Sequence, residues 1–421
     1  MGHILLIGGY DTNLETATEL GIAVTLFQKK PLVTPMQSTL PRRLFAFDYE
    51  DIEQAVALAR VVHEHDAFDG VVSFTEFGLE TAAVIGQALS IRANPLTPVV
   101  TTRDKVKMRE LLAKSGIASA RYRECLTRAD LEAFFDAVRT PLVLKPARGS
   151  GSEGVSFVAD ASELEAAWAR SAAANLLPLI AEEYFEGPEV SVESQTVDGN
   201  HEIVAITEKI TTEKPRFVET GHQAPARLPE AQAATIRVEV SKFLDAIGHE
   251  LGPAHTELRL TCDGPRIIES QTRPGGDFIW EIVLLGRGVD FVKETFELIT
   301  AAPAAQRASR APGAGAAAVR FFADGSGKKV RSIEGLEAAA GLPGVVRVSC
   351  SAKPGDVFGP VRSSDDRQGF VLATGATTEE ACRNVERAFA AVTFEFHEDT
   401  RPLEGTLDLL SGRSAAIAAT P

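Results

Sequence analysis

Residues 255–277 read HTELRLTCDGPRIIESQTRPGGD, two strand-like runs, HTELRLT and PRIIESQTR, joined at Cys262-Asp263-Gly264. The length of that loop decides the chemistry. With a turn of Asp263-Gly264 alone, Glu257 and Glu269 point to opposite faces. With a three-residue loop, in which Gly264 takes the left-handed position after a type I turn, they stand directly across from each other. Side chains so placed are roughly 5 Å apart at Cβ, where like charges repel. Period-2 alternation adds Gln271 and Arg273 to the Glu269 face. Two carboxylates, an amide oxygen and a guanidinium suit Mg²⁺ and phosphate, because hard cations take oxygen ligands. The competing reading is a charged, solvent-facing hairpin. Leu258, Leu260, Ile267 and Ile268 argue against it by marking a buried sheet.

The 421 residues are enough for about two to four domains. Net charge is −15, from 43 basic and 58 acidic residues, which argues against a nucleic-acid or anionic-membrane partner. An anionic small-molecule substrate must then be held by a local cluster of Lys, Arg and backbone N–H groups. Cys125, Cys262, Cys350 and Cys382 are scattered without a C-x-x-C, which fits a reducing compartment and no structural zinc. GHILLIGG at the N-terminus is too short an apolar run for a signal peptide. No run approaches the ~20 apolar residues of a membrane span. The expected location is cytoplasmic.

Residues 1–100 alternate strand and helix: His3–Gly9, a helix through Leu14–Leu20, Ala23–Phe27, a helix over Asp51–His65, Gly70–Phe74 and a helix over Glu80–Leu89. Thr101–Lys105 opens a helix over Lys105–Ser115 that stops at Gly116. Further on, PLVLKPARGSGSEGVSFVAD (141–160) holds Gly149, Ser150, Gly151, Ser152 and Gly154 in a G-x-G-x-x-G match. A dinucleotide turn needs a helix next; here the strand Val155–Val158 follows. The alternatives are a glycine flap over nucleotide phosphates, with Lys145 neutralising charge, and a plain polar hairpin loop. A strand over Leu179–Phe185, a turn at Glu186-Gly187-Pro188 and a strand over Glu189–Thr196 come next. A hairpin turn at Asp198-Gly199-Asn200 leads to the returning strand Ile203–Lys209. Thr211–Ala226, with Lys214, Arg216, Glu219 and His222, reads as an irregular functional loop, and Ala231–Ile247 as an amphipathic helix. Helices Trp280–Leu285 and Val289–Ile299 precede a linker at Ala301–Ala316. A small α/β region fills 317–395, with strands Ala318–Phe322, Val345–Ser349 and Gly369–Ala373 and the helix Thr378–Val392. Gly412–Pro421 is expected to fray.

In order and spacing, LVLKPARGSGSEGV, IAEEYFEGPEVSVE and the pair HTELRL and IIESQTRPGG resemble the ATP-grasp superfamily of carboxylate–amine ligases. ETGHQAPARLP, KPGD and DRQGFVLATG look most like its L-amino acid (dipeptide) ligase branch. The resemblance implies a mixed α/β and α+β fold: a Rossmann-like domain over 1–100, a nucleotide subdomain with the flap over 101–187, a catalytic subdomain over 188–300 and a small α/β subdomain over 313–400. It implies ATP phosphates on Lys105 and Lys145 under the flap 149–154, and adenine gripped along Glu182, Glu183, Tyr184 and Phe185. Ribose would lie on Glu189, and Mg²⁺, two ions with Mn²⁺ an alternative, on Glu257, Glu269 and Gln271. Arg273 would sit over the transferred phosphoryl group, with Glu219 and His222 facing the substrate amino group and the γ-phosphate. The family usually has Asn where this chain has Gln271, which alters the reach of that ligand. A homodimer is common among similar ligases. A cyclising ligase with one substrate, a bicarbonate-using carboxylase and a non-enzymatic ATP sensor remain alternatives at this level.

Overall fold

The computed structural model describes residues 2–149, 151, 154–173, 176–212, 214, 216–300 and 310–397. Ser150, Ser152, most of the linker and the 412–421 tail therefore lie outside the described residues. The first region is a parallel sheet in the order β3-β2-β1-β4, made of β1 (His3–Ile7), β2 (Ala23–Gln28), β3 (Arg43–Ala46) and β4 (Gly70–Val72). Helices α1 (Asp11–Glu19), α2 (Ile52–His65) and α3 (Leu79–Leu89) cover it. β1 and β2 are near-continuous apolar runs because both of their faces are buried.

An additional helix precedes the one that the sequence suggested. α4 (Leu96–Arg103) takes up Thr101–Arg103, and α5 (Lys105–Lys114) starts at Lys105 as expected, capped by Asp104, whose carboxylate accepts from the N–H groups of Val106 and Lys107. A second, antiparallel sheet, β5-β8-β6-β7, comprises β5 (Tyr122–Cys125), β6 (Leu142–Pro146), β7 (Ser156–Val158) and β8 (Leu179–Glu183). It is backed by α6 (Arg128–Val138) and α7 (Leu164–Ala172). β8 stops at Glu183, two residues short of the expected end.

The largest sheet has eight strands in the order β13-β12-β9-β10-β11-β14-β17-β16. They are β9 (Glu189–Val197), β10 (Asn200–Thr211), β11 (Glu219–Ala224), β12 (Leu251–Thr261), β13 (Gly264–Gln271), β14 (Ala316–Phe322), β16 (Val345–Cys350) and β17 (Gly369–Gly375). β15 (Val330–Glu334) pairs with β18 (Thr393–Phe396) in a separate ribbon. β9 and β10 close on the two residues Asp198 and Gly199, both at positive φ, with Asn200 already paired to Val197.

The segment 211–226, expected as an irregular loop, holds a regular strand. Its second half is β11, hydrogen-bonded to β10 on one side and β14 on the other. Gly221 and polar side chains mask the strand in sequence, since both neighbours in the sheet are distant or polar. One face of the sheet is apolar: Val190, Val192, Ile206, Leu258 and Ile267 pack against Ile236, Val240, Phe243, Leu244 and Ile247 of α8 (Glu230–Ile247) and against Met108 and Leu112 of α5. Each such fully buried side chain contributes roughly 1.5–3 kcal/mol. α9 (Ile279–Arg287) and α10 (Phe291–Thr300) lead towards β14, and α11 (Leu336–Ala340) and α12 (Thr378–Ala391) pack on its extension. No described helix is long and apolar enough to cross a membrane.

Candidate active site

Because β-strand side chains alternate, the residues between those apolar positions share the opposite face. The register places Glu193 opposite His255, Ser191 opposite Glu257, Lys209 opposite His222, Glu257 opposite Glu269 and His255 opposite Gln271. The polar face of five adjacent strands, β13-β12-β9-β10-β11, is thus one site.

Glu257 and Glu269 do face each other, but by another route than a three-residue loop. Thr261 pairs with Gly264 across the two residues Cys262-Asp263, and a bulge beside Ile268 supplies the missing residue of register. Arg109 holds that bulge. Its Nη1 and Nη2 donate to the carbonyls of Ile267 and Ile268 at 3.0 and 2.5 Å, and its Nε donates to Glu182 Oε1 at 2.6 Å. Lys145 Nζ lies 2.7 Å from the other Glu182 oxygen. Burial opposes charge on Glu182, but the two cations outweigh it and lower its pKa to about 2.

The cleft between the second sheet and this polar face is lined by Lys105, Lys145, Gly149, Glu182, Glu183, Tyr184, Phe185, Glu189, Glu219, Glu257 and Glu269, all expected from sequence. Arg109, Phe217 and Arg259 line it too and were not expected. Lys105 Nζ sits 3.2 Å from Glu269 Oε2 and donates to the Gly149 carbonyl at 3.2 Å. Gly149, Gly151 and Gly154 all take positive φ, so the turn needs its glycines. Tyr184 stacks on Phe217 at the far end, with ring centroids 5.9 Å apart. Gly187 has no room for a side chain: a Cβ there would lie 2.1 Å from the Leu260 carbonyl oxygen.

Lys209 is the residue sequence reasoning missed most clearly. Its ammonium is 2.6 Å from Glu257 Oε1, 2.7 Å from Glu189 Oε1 and 3.4 Å from Glu219 Oε1. Burial opposes its charge, yet the three carboxylates hold its pKa well above the usual lysine value. Glu189 is also held by Arg259 Nη2 at 2.9 Å. His255 stands between Glu193 (Nδ1, 2.6 Å) and Glu257 (Nε2, 3.1 Å). Both partners are acceptors, so each ring nitrogen carries a proton. Burial disfavours that charge, but the two carboxylates raise the pKa to about 9.

Gln271, His222 and Arg273, also expected in the site, are not among the residues that line the cleft. Gln271 Nε2 donates to Glu269 Oε1 at 2.9 Å. Arg273 turns to the N-terminal region, donating to Glu76 Oε2 at 2.9 Å and to the Pro274 carbonyl at 2.9 Å. His222 Nε2 is 2.8 Å from Asp277 Oδ2, and its buried Nδ1 has no partner. Asp277 is bridged by both Nη atoms of Arg367, and the Glu219 carbonyl also accepts from that guanidinium at 3.1 Å. Ser364 Oγ reaches Glu219 Oε2 at 3.1 Å. Burial opposes the charge on Asp277, and His222 and Arg367 lower its pKa to about 2.

Among the described residues no group of three or more His, Cys, Asp or Glu side chains is placed to hold a metal by itself. Two carboxylates opening on a lysine-lined cleft fit instead Mg²⁺, which typically takes one or two carboxylates and completes its shell with phosphate oxygens and water.

Comparison with known proteins bears on the family and the fold. The ATP-grasp N-terminal domain family matches residues 14–91, the ATP-grasp domain family residues 138–281, and the L-amino acid ligase C-terminal domain 2 family residues 320–397. The crystal structure of an L-amino acid ligase from Bacillus licheniformis superimposes with a TM-score of 0.79 at 28% identity, covering 94% of this chain and 99% of that one. An uncharacterised protein of Sinorhizobium fredii is 30% identical over 337 residues, 77% of this chain and 67% of its own length. The alanine–anticapsin ligase of Bacillus subtilis is 27% identical over 258 residues, 56% of this chain, and the match spans about half (53%) of that relative. ATP-grasp ligases generally use ATP and Mg²⁺. The chain belongs to the ATP-grasp superfamily of C–N ligases, in its L-amino acid ligase branch.

Proposed function

We propose that this protein joins two amino acids, or an amino acid and a related amine or acid, at the expense of ATP. The observation that carries the reading is one cleft lined by Lys105, Lys145 and the paired carboxylates Glu257 and Glu269, with Lys105 3.2 Å from Glu269. A carboxylate is a poor acyl donor because its leaving group would be oxide. In the proposed reaction one substrate carboxylate oxygen attacks the γ-phosphorus of ATP, the bond to ADP breaks, and an acyl phosphate results. The second substrate's amine then attacks the acyl carbon, phosphate leaves and the nitrogen loses a proton.

Lys105 and Lys145 would neutralise the phosphates beneath the flap at 149–154. Glu182–Phe185 would grip adenine, Glu189 the ribose, and Arg273 would swing from Glu76 to the transferred group. Glu257, Glu269 and Gln271 would hold Mg²⁺, two ions or Mn²⁺ in their place, which spreads the charge developing on the phosphoryl oxygens. Glu219 and His222 would face the substrate amino group. The four-part division at about 100, 187 and 300–313 belongs to the same proposal, as do a cytoplasmic site of action, small-molecule rather than nucleic-acid or membrane partners, and a homodimer.

ADP and phosphate release from Mg-ATP across pairs of L-amino acids tests it. Release that needs two amino acids, with a condensed product by mass, supports the ligase. Turnover with one compound alone, or with bicarbonate, overturns it. Glu269→Ala should abolish most turnover, and a variant that keeps it would remove the metal assignment.

A further inference from the structure

Glu193 lies in β9, fully buried in the middle of the large sheet, and no step of the proposed chemistry uses it. An ionised carboxylate in such a place is costly unless every lone pair finds a donor. Its Oε1 accepts from Ser191 Oγ at 3.0 Å and from His255 Nδ1 at 2.6 Å. Its Oε2 accepts from the backbone N–H of Gly275 at 3.2 Å. His255 passes on to Glu257 Oε1 at 3.1 Å. Gly275 belongs to the turn Arg273-Pro274-Gly275-Gly276. No side chain fits at Gly275, since a Cβ would sit 2.8 Å from His255 Nδ1 and 2.9 Å from Glu193 Oε2.

We propose that Glu193 and His255 are positioning residues: one buried carboxylate fixes Glu257 through the imidazole and the Arg273 turn through Gly275, tying the divalent-cation site to the arginine loop. The inference rests on the ligase reading above only in taking Glu257 as a cation ligand. The physical reason is orientation. Glu257 has a lysine on the same oxygen, and a rotatable carboxylate so placed would otherwise follow Lys209 rather than a cation. An imidazole fixed at both nitrogens sets its rotamer, as partners of ligands do at metal sites generally.

The test is Mn²⁺ binding, read by electron paramagnetic resonance of the free ion in the presence of ADP, on the full-length protein. Glu193→Gln keeps the volume and an acceptor for Gly275 but removes the charge that fixes the ring. It should weaken Mn²⁺ binding roughly 10–100-fold, with metal-free ADP binding unchanged. His255→Gln should do the same, and the double variant should lose little more than either alone, because the two act as a unit. If Glu193→Gln does not fold, His255→Gln, which leaves Glu193 bonded to Ser191 and Gly275, decides the matter. Mn²⁺ affinity within about twofold of the parent in a folded His255→Gln, while Glu269→Ala loses the ion, overturns the proposal. Unchanged Mn²⁺ binding in Glu257→Ala and Glu269→Ala would instead remove the cation assignment itself.

Discussion

Lys209→Met tests whether the polar face is organised by charge. The side chain is almost fully buried, and replacing it with Met keeps much of its length while deleting the cation between Glu189, Glu219 and Glu257. Removing one partner of a buried ion pair costs about 3–5 kcal/mol, because the other charge stays behind. Here Glu189 keeps Arg259, Glu257 keeps His255 and Glu219 keeps Ser364. The expected loss is therefore at the low end, about 3 kcal/mol. With a urea slope of about 3 kcal/mol per molar, the midpoint falls by about 1 M. Fluorescence of Trp280, on α9 beside the large sheet, follows that transition. Adding Glu257→Gln removes the nearest of the three carboxylates. The double variant should then regain about 1 kcal/mol, an interaction of the size seen between contacting groups. A double variant as unstable as the sum of its parts, or a Lys209→Met midpoint equal to the parent's, would refute the argument.

Arg109→Met should cost roughly 3–5 kcal/mol in the same unfolding assay, since it leaves Glu182 with one cation and the Ile267 and Ile268 carbonyls without their donor. Arg109→Lys should not restore the loss, because a single ammonium lacks the fork that reaches all three acceptors. His249 is buried with its pKa pushed down to about 4 by burial. The unfolded chain then binds a proton that the folded one refuses. Stability should be full above about pH 6.5 and fall by about 3 kcal/mol as pH drops towards 4, with a shallower fall in His249→Asn. Arg367→Gln should raise the KM for the amino-acid substrate about tenfold and leave the KM for ATP unchanged, since it releases Asp277 and the Glu219 carbonyl at one end of the cleft.

Much of this was legible in the sequence. The amphipathic run Ala231–Ile247 marked α8, and the strands around Glu257 and Glu269 marked two carboxylates that face each other. What escaped had distant causes. The bulge at Ile268 depends on Arg109, 159 residues earlier in the chain, so no local turn rule could find it. Lys209 follows Glu208 in a strand of mixed polarity and looks like a solvated charge; only assembly of β9, β11 and β12 around it shows three carboxylates. α4 carries Pro98 and a run of Val and Thr, a poor helix signal that tertiary packing overrides.

The join between β11 and β14 bears on how such a chain can be recombined. β14 begins just beyond the linker, yet it supplies the hydrogen-bonding edge of the strand that carries Glu219 and His222. A graft cut at the linker would leave β11 as an open edge, ready to pair with another molecule. A graft that supplied a replacement for β14 would instead pair that strand with a foreign neighbour, and Arg367 and Ser364 would still be lost with the removed piece. The exchangeable unit is therefore the block from β11 onward, so the substrate-facing strand and the C-terminal region should be inherited together.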